Sequence, residues 1–105
     1  MAGTVVAAGA IGFTAALALG LAAVGGAAGE SQRVAGVADA VALAAADAAA
    51  GFASGAPCTR ASDVANAAGV DVASCVVDDL TATVEVVGSF ARIPLSARAR
   101  AGPPP

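Results

Sequence analysis

The chain has 105 residues, 58% of them hydrophobic, and a net charge of −3 from five Arg, six Asp and two Glu, with no His, Lys, Trp or Tyr. Without His or Lys it lacks the usual general base near neutral pH, an imidazole metal ligand, a Schiff-base amine and a P-loop lysine, so neither an enzyme nor a bound cofactor or metal is expected. Net negative charge and three scattered Phe supply neither a phosphate-neutralising patch nor a stacking platform, which argues against nucleic acid as a partner.

Residues 3–29 carry no charge, and their only polar side chains are the hydroxyls of Thr4 and Thr14. As a helix this stretch would rise about 40 Å, enough to cross a hydrocarbon core of about 30 Å with some tilt. A secretory signal peptide fits less well, because no Lys or Arg precedes the run and h-regions are about 7–15 residues long. Glycine is frequent here. Gly9, Gly12, Gly20, Gly25 and Gly29 are expected to serve helix packing, since small residues let helices approach closely in lipid, and Gly25 and Gly29 form a small-xxx-small step. The alternative is an Ala/Gly-rich span with no specific partner.

The helical period continues past Gly29 at lower hydrophobicity. Val34, Val37, Val41, Ala45, Ala48 and Phe52 recur at spacings of three and four as an apolar stripe, while Gln32, Gly36, Asp39, Leu43 and Asp47 fall on another face. One continuous helix over residues 4–53 is expected, with Glu30 and Arg33 paired one turn apart where it leaves the lipid.

Ser54-Gly55 and Pro57 break this helix. A short helix follows from Pro57 or Thr59, with Ala61, Val64, Ala65 and Ala68 as its apolar stripe and Gly69 just past its end. Beyond Gly69 the period becomes two. Val70, Val72, Ser74 and Val76 alternate with Asp71, Ala73, Cys75 and Val77 as a first strand, and Asp78-Asp79 is a turn signal. Leu80, Ala82, Val84 and Val86 alternate with Thr81, Thr83 and Glu85 as a second strand, antiparallel to the first, before a loop opened by Gly88-Ser89. Ile93, Leu95, Ala97 and Ala99 alternate with Pro94, Ser96, Arg98 and Arg100 as a third, whose Pro94 places it at a sheet edge or makes it begin just after the proline.

Cys58 and Cys75 lie downstream of an apolar segment, and an even count in that context predicts a disulfide formed in an oxidising compartment. The other reading is two buried reduced thiols acting as small hydrophobes. A remainder of about 70 residues buries only about 60% of its unfolded surface, so a covalent staple, a membrane or neighbouring subunits are expected to support it. Asp78-Asp79 reads as a turn rather than a metal site, Asp39 and Asp47 as a solvated face, and Arg98 and Arg100 as solvent-facing partners for residues such as Glu85. No serine has a base beside it, so no catalytic constellation emerges.

The order of these segments, with A-G-T-V-V opening the apolar helix, A-D-A-V-A-L-A-A-A over residues 38–46, the Cys58 and Cys75 pair and a terminal A-R-A-R-A-G-P, resembles the TadE-like pilin family. The likeness is specifically to the small TadE-like proteins of the helicase and secretion gene neighbourhood. It implies a non-enzymatic subunit of a tight-adherence, type IV-related pilus or secretion apparatus. Such a subunit is inserted through its N-terminal helix, trimmed by a prepilin peptidase and assembled by helix packing with other pilin-like subunits or copies of itself. The charged leader of prepilins does not precede the apolar run, so Met1 is expected near the mature start or downstream of the translated one. Val5 and Val6 occupy the region where many pilins carry Glu, which favours a minor pilin or pseudopilin.

The expected architecture is α+β and pilin-like. Residues 1–29 form the transmembrane and assembly half of the helix, and 30–53 its amphipathic extension. Residues 58–101 form a disulfide-stapled head with a short helix and a three-stranded antiparallel sheet, and 102–105 a flexible tail. The expected location is the cell membrane, with a single pass and the C-terminal part outside, or a surface filament. The alternative is a single-span anchored extracytoplasmic binding module, which predicts a flexible break near residues 25–29. A third reading is a small secreted domain released by signal peptidase.

Overall fold

A computed structural model covering residues 1–105 shows the expected α+β order: α1 (Ala2–Ala49), α2 (Pro57–Ala67), β1 (Asp71–Asp78), β2 (Thr81–Phe90) and β3 (Ile93–Ala101). The strands form one antiparallel sheet in the order β1-β2-β3. α1 runs unbroken through Gly25, Gly26 and Gly29, and the molecule measures 75 × 27 × 17 Å. Only the second half of α1 is covered by the head. It lies across the inner faces of β2 and β3, with α2 beside it over β1.

All thirteen buried residues are Val or Ala, with Val34, Ala38, Val41, Ala42, Ala45 and Ala46 from α1 and Val84, Val86 and Ala82 from β2. Small side chains bring the helix close to the sheet, so burial comes from short contacts over a long seam rather than from a few large residues. Gly88 marks the tightest approach. A Cβ there would lie 2.9 Å from Val34 Cγ2 and 3.3 Å from Val70 Cγ1.

The seam is rotated from the expected stripe. Val34, Val41 and Ala45 are buried and Val37 and Ala48 half-buried, as the spacing implied, but Ala38, Ala42 and Ala46 also enter the core and Phe52 is 84% exposed. Phe52 lies beyond the helix end. α1 stops at Ala49 because Gly51 adopts φ 83° and reverses the chain, with Phe52 N–H bonded to Asp47 O at 2.8 Å and Gly51 N–H to Ala48 O at 3.2 Å. The same Schellman geometry ends α2. Gly69, at φ 75°, donates to Asn66 O, and the buried Val70 donates to Ala65 O at 3.0 Å. Pro57 begins α2 at its first turn, where its missing donor costs nothing.

Strict alternation fails in β1. Its pairing with β2 slips between Val72 and Ser74, leaving Ala73 without a partner: Val72 pairs with Val86, then Ser74 with Glu85 and Cys75 with Val84. This bulge turns Cys75 and Val77 to the inner face and leaves Ser74 and Val76 outside, Val76 at 62% exposure. Cys75 thereby meets Cys58 of α2, and the two form a disulfide with their Cα atoms 5.9 Å apart.

The turn falls one residue later than expected: Asp78 ends β1 opposite Thr81, and Asp79, at φ 55°, and Leu80 make the reversal. The expected loop at Gly88-Ser89 is not. β2 continues to Phe90, and the reversal falls on Ala91 and Arg92, both at positive φ (49° and 67°). That two-residue geometry normally selects Asn or Gly, so Ala-Arg carries no turn signal in the sequence. β3 is an edge strand that includes Pro94, the first of the two expected arrangements. Gly102, placed in the flexible tail by the sequence, packs on Thr81, whose Oγ1 would lie 2.7 Å from a Cβ at that position. The second half of α1 and residues 58–101 contribute to one core.

Three variants test this packing. Gly88→Ala is expected to destabilise the head by about 1–3 kcal/mol through overpacking against Val34, whereas Gly36→Ala, exposed with nothing within 4 Å of its Cβ position, is expected to stabilise by up to about 1 kcal/mol, both read by urea unfolding. Replacing Cys58 and Cys75 with Ala together is expected to cost about 3 kcal/mol by loop-closure entropy, read in the same assay.

Candidate functional site

The feature that distinguishes this molecule is the uncovered half of α1. Val5, Val6, Ile11, Phe13, Leu17, Leu19, Leu21 and Val24 are each at least half exposed, although an aqueous surface disfavours a patch of this size. α1 is long and apolar enough to cross a membrane, and no part of its most apolar window is buried.

The glycines singled out by the sequence all lie on this surface or at its margin. Gly9, Gly12, Gly20, Gly25 and Gly29 have no side chain or other element within 4 Å of where a Cβ would sit. At about 100° per residue they divide into two sets. Gly9, Gly12 and Gly20 cluster within about 80° of one another, while Gly25 and Gly29 lie within about 40° of each other on the opposite side, in line with the exposed Gly36. The five glycines therefore fall on two faces of the helix. The second continues past the apolar run onto the back of α1, with the exposed Gln32, Asp39, Leu43 and Asp47 beside it.

Where the apolar half meets the head, one side chain joins two elements of the structure. Arg33 binds both carboxylate oxygens of Glu30 (Nε at 3.0 Å to each, Nη2 to Oε1 at 2.6 Å) and donates from Nη1 to Ala68 O at 3.0 Å. Ala68 caps the C-terminus of α2, where unpaired carbonyls and the helix dipole favour a cation. The expected Glu30–Arg33 pair thus also orients the guanidinium that ties α1 to α2. Sequence spacing shows the pair but not Ala68, which is 35 residues away.

Hydrogen bonds from Arg33 hold the Glu30 carboxyl below its ordinary value of 4.5, ahead of partial desolvation, which acts in the opposite direction. A lowered carboxyl pKa stabilises the fold fully above the ordinary value, and that contribution is lost as pH falls through the lower folded value. Arg33 is raised by the same contact and stays charged throughout.

On the outer sheet face Arg98 Nη2 pairs with Glu85 Oε2 at 2.8 Å, across the β2–β3 register. Arg100, opposite Thr83, is exposed. At the end of the head farthest from the apolar half of α1, Leu43, Ala46, Phe52, Leu80 and Pro103 line an open recess of about 390 Å³ beside Asp47. The sequence pattern assigns Phe52 to the apolar stripe and Leu80 to a strand, and so misses that the end of α1 and the β1–β2 turn place both beside one recess.

No protein-family model matches the chain, and neither the curated proteins nor the solved structures give a match.

Glu30→Gln is expected to lower the melting temperature at neutral pH. The gap from the parent chain should close as pH is taken below 4.5, monitored by circular dichroism.

Proposed function

We propose that this chain is a structural, pilin-like subunit, a minor pilin or pseudopilin of a tight-adherence or type IV-related pilus or secretion apparatus, acting by assembly rather than catalysis. α1 holds the subunit in the membrane as a single pass with the head outside, then packs against the helices of neighbouring subunits in a filament. The observation that supports this reading is the continuity of α1: one 48-residue helix carries the apolar half directly into the core of the head. Its two small-residue faces suit a neighbour on each side, as a filament requires and a simple anchor does not. The segment order shared with TadE-like pilins supports the same reading.

A second reading, the anchored extracytoplasmic binding module, is favoured by the recess at Leu43, Phe52 and Leu80. The two separate on the back face of α1. Gly25→Leu and Gly29→Leu are expected to leave membrane insertion intact and remove the chain from sheared surface filaments, with intact mass of both fractions identifying the chain and its N-terminus. Chain confined to the membrane fraction in the parent strain, or filament incorporation unchanged in both variants, would contradict subunit packing. A mature N-terminus near Gly29 in the medium would indicate a released domain.

A further inference from the structure

The turn between β2 and β3 is the part of the head closest to the apolar end of α1. Phe90 closes on Gly26, where a Cβ would lie 3.0 Å from Phe90 Cζ and 3.4 Å from Cε2. Gly26 stands four residues before Glu30, about 6 Å along the axis. A hydrocarbon core of about 30 Å takes up about 20 helical residues, so the weakly apolar end of the run, Gly25, Gly26, Ala27, Ala28 and Gly29, falls at headgroup depth. The turn is held beside α1 at that depth.

Its composition fits the place. Ile93 is 61% exposed, and Ala91, Arg92 and Pro94 are exposed around it. Arg92 enters neither of the two ion pairs in the molecule. The other charges at this level are Glu30 and Arg33, which neutralise each other, and Asp71, which shares a shallow surface recess with Arg92 without pairing to it. An apolar tip with one free guanidinium is suited to the acyl–headgroup boundary, where a long side chain keeps its charge among phosphates.

We infer that the β2–β3 turn is an interfacial foot: Ile93, with Phe90 behind it, enters the headgroup region of the membrane and Arg92 binds the phosphate of an anionic phospholipid. The foot fixes the azimuth and tilt of the head on the bilayer before assembly. This inference rests on reading α1 as membrane-spanning.

The chain has no Trp or Tyr, so a single introduced Trp reports its own position. Ile93→Trp, Val24→Trp and Phe52→Trp would each be made in the full chain and reconstituted in phosphatidylcholine nanodiscs with and without phosphatidylglycerol, using lipids brominated at different depths as quenchers. Val24→Trp is expected to be quenched from within the core, Ile93→Trp from near the headgroups, and Phe52→Trp not at all. Adding Arg92→Ser to Ile93→Trp should reduce the inserted population about fivefold in phosphatidylglycerol discs. Quenching at Val24 with a water-like, unquenched Ile93→Trp would overturn the foot and leave the span standing. A blue-shifted Ile93→Trp without quenching would mean that another protein surface covers the turn, and would also overturn it. Loss of quenching at Val24 would overturn the span and the foot together.

Discussion

The close approach of α1 to the sheet is the constraint on which the rest of the molecule depends. A core made only of Val and Ala works because Ala38, Ala42, Ala45 and Ala46 present little bulk and Gly88 presents none. The same economy makes the core thin, and a head of this size gains much of its stability from devices other than burial. Two glycine-terminated helix ends, a disulfide and the Arg33 bridge supply them. Each acts on how α1, α2 and β1 are joined.

These devices are interdependent. The bulge at Ala73 turns Cys75 inward toward Cys58, and the Schellman end of α2 buries Val70 and presents Ala68 O to Arg33. Because Arg33 also holds Glu30, the charged boundary of the apolar run is part of the fitting that secures the head. The uncovered apolar half of α1 and the orientation of the head are therefore linked through one helix.

Much of this was legible in the sequence because period and punctuation agreed. The apolar run, the shift from a helical to an alternating pattern after Gly69, the cysteine pair and the edge proline each have a single local cause. What was not legible depends on contacts distant in sequence or on backbone states that residue type does not signal. Ala73 looks like any strand residue, and Ala-Arg does not look like a hairpin turn. Gly51 was hidden inside an alanine-rich periodic stretch, so Phe52 was assigned to the core when it lies beyond the helix end. The two glycine faces were latent in the numbering, but their openness required the head to be placed.

The most direct test concerns α1 as a single rod across residues 25–29. Spin labels at Ala10→Cys and Ala40→Cys, both exposed sites, would be introduced with the native disulfide intact and measured by pulsed dipolar spectroscopy in nanodiscs. A continuous helix predicts one narrow distance near about 45 Å at 1.5 Å per residue. A broad distribution extending to shorter distances would reveal a hinge at the glycines, and would contradict a rigid coupling of the apolar half to the head.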